Sequence, residues 1–263
     1  MFTDVPTGRD LSASRASPTD AALVDAVGTG DVDAFLELWR RHRQAAYAFT
    51  RRWTSTDDPA ETTVNRAFSD LLLEIASGAA VDGPFRLHLY RRLFADEPWD
   101  SPRPLPLVVS AYAELSLTSR SVLWYLAVED EAPASVALMV GVPETELHAL
   151  LRVAQVDLRT RWLTEIVESP STPPDCAWVA PRLDLRASGA LAPASNDRYD
   201  RHLEHCEHCR GVSQDLSDVG GLLRRTARTL VVAREDRDDR ESGVRHGSTG
   251  GAGGTTATRR GAT

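Results

Sequence analysis

An all-α fold in three small helical bundles is expected from three observations. Apolar residues recur at three- and four-residue steps through most of the chain. No segment alternates apolar and polar residues with period two, as a half-buried strand would. Two Pro-rich breaks, at residues 96–106 and 169–174, divide the periodic segments into three groups.

Each element has a local reason. Residues 1–18, rich in Ser, Thr, Pro and Asp, are expected to be loose. Thr19 or Asp20 can cap a short helix over Ala21–Val27, which Gly28, Thr29 and Gly30 break. Asp31 caps a long second helix with the stripe Val32, Phe35, Leu36 and Trp39, then Ala46 and Phe49. Arg40, Arg41, Arg43, Arg51 and Arg52 load its later part, and Thr54–Pro59 forms a turn. A third helix is expected from about Pro59 to Ser77, with Val64, Phe68, Leu71, Leu72 and Ile75 facing inward. Gly83-Pro84 breaks the chain again, and a short helix over Phe85–Phe94 carries Arg86, Arg91 and Arg92. Beyond the first Pro-rich linker, helices are expected near 106–115, 118–128, 133–140 and 143–167; beyond the second, near 175–187, 195–206 and 208–233. The tail after Arg234 mixes charge with Gly, Ser and Thr and is expected to be disordered. The bundles then occupy 19–95, 107–168 and 175–233.

Composition narrows the function. With 42% hydrophobic residues in 263, the chain can fill real cores. Its net charge is −8, and all 30 basic residues are Arg. That acidity argues against coating nucleic acid by charge alone, although a local basic stripe is compatible with it. No apolar run of about 18 residues is present, so no membrane-spanning helix is expected. The N-terminus lacks an apolar core and carries acids, unlike a signal peptide. Three Cys make no disulfide framework. A cytoplasmic location and no membrane partner are expected.

The sharpest pattern in the middle segment lies over 118–163. An apolar helix with Val122, Leu123 and Leu126 leads into an acidic turn, then a short helix from Pro133 with Val136, Ala137 and Met139. Gly141 can supply the left-handed turn of a helix-turn-helix, and Pro at the start of each helix suits that position. In such a motif the second helix would present Glu144, Thr145, His148 and Arg152 to a DNA groove. A plain helical hairpin fits the spacing equally well. From Ser121 to Leu151 there are five acids and no Arg, whereas phosphate contact needs basic groups at the groove edges.

Residues 202–209 read HLEHCEHC. His202 and Cys206 stand one helical turn apart, and the Cys-x-x-Cys knuckle brings Cys209 round to the same point. Imidazole and thiolate ligands suit tetrahedral Zn²⁺, and the remaining cysteine, Cys176 on the preceding helix, is the natural fourth ligand. A redox pair is the competing reading of Cys-x-x-Cys, but no βαβ pattern surrounds it. His205 and His208 are alternative ligands. His208 sits inside the knuckle and should point outward, and His205 is one residue off the face.

The middle segment, Leu117 to Leu163, resembles region 4 of the extracytoplasmic-function (ECF) sigma factors of actinobacteria. The resemblance rests on Leu117 and Arg120, Val122–Trp124, Pro133–Ala137 and Leu138–Gly141. Residues 20–95 are similar to region 2 of the same family, through Asp33–Trp39, Asp58–Glu61, Ala67-Phe68 and Gly83–Tyr90. That resemblance implies RNA polymerase core binding through Glu61, Asn65, Arg66 and Phe68. It implies promoter DNA opening by Phe85, Arg86, Tyr90 and Arg91, and reading of the −35 element by Thr145, His148 and Arg152. Thr62, Asn65 and Arg66 stand where the family carries Asp and Gln-Glu, and His88 stands where it carries Trp. Residues from about Asp175 to Leu223 resemble the zinc-containing anti-sigma domain, whose pattern is a Cys-bearing helix followed by His-x₃-Cys-x₂-Cys.

Two readings follow. In the first, the chain is a sigma factor restrained in cis by its own C-terminal zinc domain, with RNA polymerase core and promoter DNA as partners. In the second, it is an interaction protein that no longer binds promoters and sequesters another sigma or anti-sigma factor. No enzyme is expected, because His-Glu-x-x-His is absent and the ligand set is rich in thiolate.

Overall fold

The structure is a computed structural model that describes residues 17–53, 59–95 and 105–233. The expectations of a loose N-terminus, of a turn at 54–59, of a linker over 96–106 and of a disordered tail fall wholly or mostly on residues 1–16, 54–58, 96–104 and 234–263, which lie outside the described residues. Twelve α-helices and one π-helical turn account for the secondary structure, with no strand among the described residues. The all-α class is as expected. None of these helices is long and apolar enough to cross a membrane.

The first two helices form where the caps predict them. In α1 (Asp20–Gly28) the Thr19 hydroxyl accepts from the Ala22 amide at 3.1 Å. In α2 (Val32–Trp53) the Asp31 carboxylate accepts from Asp33 and Ala34 at 2.9 and 3.1 Å. The inward line of α2 differs from the expected stripe. Ala34, Leu38, His42, Ala46 and Thr50 are buried, while Val32 and Leu36 face solvent. Two polar residues on that line hide it from a hydrophobicity pattern. His42 is paired within the core, and Thr50 donates to the Ala46 carbonyl at 2.9 Å. In α3 (Ala60–Ala76) the line Val64, Phe68, Leu71 and Ile75 is buried as expected. Phe68 meets Phe35 edge to face, with centroids 6.4 Å apart.

Next come α4 (Phe85–Leu93), α5 (Leu107–Ala113) and α6 (Leu117–Val122), which runs directly into the π-helical turn Leu123–Val128. Then follow α7 (Pro133–Val140) and α8 (Glu144–Glu168). Between these two, Gly141 adopts φ 80° and its amide donates to the Ala137 carbonyl at 2.8 Å, the left-handed helix end foreseen from sequence. The remaining elements are α9 (Pro174–Ala187), α10 (Pro193–His205), α11 (Glu207–Ser217) and α12 (Val219–Val232). The single helix expected over 208–233 is therefore two. Asp218 leaves helical geometry at φ −137°, and its carboxylate caps α12 by accepting from the Gly221 amide at 2.8 Å.

Helices from all three expected segments pack together, and residues through Val232 form one unit. Arg86, only 6% exposed, crosses between segments. It leaves α4 to meet Glu129 and Glu131, each at 2.5 Å, just after the π-turn. Its Nε donates to His42 Nδ1 at 3.1 Å, and His42 Nε2 in turn lies 3.0 Å from the Asp20 carboxylate. Asp20 also pairs with Arg41 at 3.1 Å. A second crossing joins Arg120 of α6 to Asp82.

Two stability predictions follow from this packing. A Cβ on Gly141 would sit in the left-handed region and collide with the Thr19 methyl. Gly141→Ala is expected to cost about 2 kcal/mol or more in a urea titration. His88 is half-buried, and its Nε2 donates to the Asp82 carbonyl at 3.0 Å. Burial, and after it the charge of Arg91, hold its imidazole down at about 4, against an ordinary 6.5. Between those two pH values the unfolded chain binds a proton that the folded chain refuses. Stability should fall as pH drops through that window, and His88→Gln should flatten the urea midpoint plotted against pH.

Candidate metal centre

Three helix ends build the cluster. Cys176 lies in the first turn of α9, placed there by the helix-starting Pro174. His202 lies in the last turn of α10. Cys206 is the hinge between α10 and α11, extended at φ −111° and ψ 101°, and Cys209 follows in the first turn of α11. The Cys206 amide donates to the His202 carbonyl at 2.9 Å, and its own carbonyl accepts from Arg210 at 3.2 Å, so the knuckle closes both helix ends. Arg210 also donates from its guanidinium to the Leu203 and Glu204 carbonyls at 2.7 and 3.0 Å, covering the C-terminus of α10.

The four ligand atoms all lie within 4.8 Å of one another. Cys176 Sγ is 3.7 Å from Cys206 Sγ and 3.7 Å from His202 Nε2, and His202 Nε2 is 3.3 Å from Cys209 Sγ. Around a tetrahedral zinc ion, sulfurs at its usual bond length are about 3.8 Å apart, and sulfur and nitrogen about 3.6 Å. The donor atoms thus already stand near the corners of such a site. A Cys₃His set with four protein ligands leaves no open position for a reacting water, so the arrangement suits a structural ion. His205 and His208 are both exposed, and His205 Nδ1 lies 2.9 Å from the Arg201 carbonyl. Neither belongs to the cluster.

The thiols are not equivalent. Burial raises Cys209 and Cys176 above the ordinary thiol range, reinforced at Cys209 by Cys176 and at Cys176 by Cys206. Burial acts the same way on Cys206. There it is outweighed by a hydrogen bond from the Cys209 backbone amide, by the other two thiols and by the His208 amide, and Cys206 is lowered. The amides at the start of α11 therefore favour one thiolate before any metal arrives.

Sequence reading missed the support around the cluster. Trp178 of α9 lies between two guanidiniums, Arg182 and Arg198, each 4.0 Å from its ring centroid. Arg198 also pairs with Asp175, next to Cys176, at 2.9 Å, which ties α10 to the first turn of α9. A Trp and an Arg four residues apart on one helix were the available signal.

The other expected sites separate into exposed and buried groups. Thr145, His148 and Arg152 are exposed on the first half of α8, beside Glu144 and Glu146. Glu61, Asn65 and Arg66 are exposed on α3, whereas Phe68 is 1% exposed and belongs to the core. Phe85, Arg86 and Tyr90 are buried, and Arg91 is half-buried. Tyr90 stacks on Phe49 with centroids 3.9 Å apart and ring planes 7° from parallel. In this packing those three side chains of α4 are core and ion-pair partners, not a face that DNA can reach.

Metal content tests the ligand set. The purified chain is expected to bind about one zinc, Cys206→Ser to lose it, and His205→Ala and His208→Ala to keep it, each measured by elemental analysis. Chelation should melt the α9–α11 segment, read by circular dichroism, because metal binding there supplies folding free energy.

Comparison with known families agrees with this geometry over a limited span. Residues 176–210 match the family described as "Putative zinc-finger", a stretch that begins at Cys176 and contains all four clustered residues. No curated protein and no solved structure matches the chain. Over that stretch the chain is similar to the zinc-finger family.

Proposed function

We propose that the chain is a sigma-type transcription initiation factor held inactive by its own C-terminal segment. A structural Zn²⁺, held by Cys176, His202, Cys206 and Cys209, would fix the ends of α9, α10 and α11 and so orient α12. The ion supplies cross-linking only; every contact that restrains the rest of the chain comes from protein side chains.

The observation that carries this reading is the docking of α12 on α4, α5, α8 and the π-turn. Val219, Leu222, Leu223, Leu230 and Val231 are buried there, and Arg159 of α8 donates to the Leu216 carbonyl at the end of α11 at 2.9 Å. The helix on which the sigma resemblance places promoter opening is thus contacted by α12, which overlaps only the end of the segment that resembles an anti-sigma domain and continues beyond it. Size adds to the argument. The −10 and −35 elements are about 25 base pairs apart by their numbering, or about 85 Å of B-form DNA. A compact unit of this length has a radius of gyration of about 17 Å. To read both elements, the N-terminal and middle helices must part, and α12 bridges them. Glu61, Asn65 and Arg66 remain exposed, so restraint in this form acts on DNA contact and opening more than on the α3 surface.

A second reading is favoured by one feature. Glu144 and Glu146 are exposed beside Thr145 and His148, where approaching phosphates would be repelled. On that reading the chain is an interaction protein that sequesters another sigma or anti-sigma factor. Transcription in vitro with core polymerase separates the two. Leu223→Glu in the full chain, and a chain ending at Glu168, are expected to give promoter-specific transcripts at least several-fold above the intact protein. Absence of transcripts from all three, with capture of a purified regulator, would establish the second reading.

A further inference from the structure

We propose that the π-helical turn Leu123–Val128 couples the docking of α12 to the grip on the N-terminal helices, so that either contact is lost when the other is released. The turn is contacted from both sides. On one side α12 closes it: the Arg224 guanidinium donates to the Ala127 carbonyl at 2.7 Å. A helix end leaves its last carbonyls without partners inside the helix. Here the Trp124 and Tyr125 carbonyls are taken by the Glu129 and Glu131 amides at 3.0 and 2.8 Å, and Arg224 takes Ala127. The two elements are close at Gly220, where a Cβ would already be in van der Waals contact with the Ala127 methyl at 3.4 Å and a larger side chain would not fit without a shift.

On the other side the turn aims two carboxylates. Asp130 sits in the left-handed region at φ 55°, which turns the chain so that Glu129 and Glu131 both reach Arg86. Trp124, inside the π-turn and 1% exposed, donates from its indole to the other Glu129 oxygen at 2.6 Å. Tyr125, one residue on, places its hydroxyl 3.5 Å from the Asp20 carboxylate, the far end of the same buried chain through His42. A π-turn holds one residue more per turn than an α-helix. If it rewinds to α geometry, every residue after it rotates about the helix axis, and the carboxylates leave Arg86. The capping contact from Arg224 therefore stabilises the register in which Arg86 is paired.

Hydrogen–deuterium exchange on the full-length chain tests the coupling, and it reads out whether or not the protein initiates transcription. Arg224→Met is expected to speed exchange about tenfold or more in α12, in residues 123–131 and in α4. Coupling is reciprocal, so Arg86→Met is expected to speed exchange in α12, although the hydrogen bonds it removes go to His42, Glu129 and Glu131. Gly220→Leu perturbs the same two elements at a different contact and should reproduce the Arg224→Met pattern. Arg225→Met, which removes only the pair with Asp215 on α11, should leave α4 unchanged. Faster exchange confined to α12 in both Arg224→Met and Gly220→Leu, or unchanged α12 in Arg86→Met, would overturn the proposal.

Discussion

A guanidinium as deeply buried as that of Arg86 has to be paired, and the partners it takes decide how the rest of the chain is arranged. Burial by itself would lower its affinity for the proton; Glu129, first among the opposing groups, offsets that together with Tyr90 and Tyr125, so the side chain stays charged. At Glu131 burial pushes the other way, toward the neutral acid, and is outweighed only by the hydrogen bond and charge of Arg86 together with the Ala132 amide and His42. Removing one member of such a group typically costs several kcal/mol, because the remaining charge is left buried and unmatched. The pairing therefore behaves as a latch with few intermediate positions. It connects α1 and α2, through Asp20 and His42, to the turn that follows the π-helix.

The Cys₃His cluster, with a metal bound, would impose a second constraint, on a part of the chain that has little else. Around Cys176–Ser217 the buried apolar set is small: Val179, Ala180, Leu183, Tyr199, Val212 and Leu216. A segment of that size is marginal without a cross-link. Three of the four ligands sit within eight residues at a helix junction, and the fourth arrives from α9. With those ends fixed, α11 leaves the cluster in a defined direction, Asp218 restarts the helix, and α12 is delivered to its groove. The two constraints thus share one element. On the proposed coupling, α12 would carry the consequences of metal binding to the π-turn, and the π-turn would carry them to Arg86.

In the sigma reading this arrangement explains why recognisable pieces on one chain need not act at once. Phe85 and Tyr90 pack into aromatic clusters with His42, Phe49 and Trp124. All but the Trp124 contact lie within the N-terminal helices, so these rings stabilise that segment itself, and DNA would reach them only after α4 shifts on α2 and the segments part. Inhibition then needs no tight interface, because a tethered helix meets its groove at high effective concentration.

Much of this was legible from local chemistry. The caps at Thr19 and Asp31, the left-handed Gly141 and the inward line of α3 depend on residues within a few positions of one another, and period and cap rules capture such contacts. The Cys₃His set was legible for a similar reason: three ligands are adjacent in sequence, and the fourth is the only cysteine left. The inward line of α2 was not, because His42 and Thr50 are polar: His42 becomes a core residue through partners on distant elements, and Thr50 turns its hydroxyl back to the Ala46 carbonyl. Nor was the break at Asp218, where a side chain competes with the helix backbone inside an otherwise helical stretch. The pairing of Arg86 with Glu129 and Glu131, and of Arg224 with a backbone carbonyl 97 positions away, belonged to the tertiary structure alone. Helical periodicity records which face of each element is apolar, while the partner of a buried charge is chosen only when distant elements pack and exclude water.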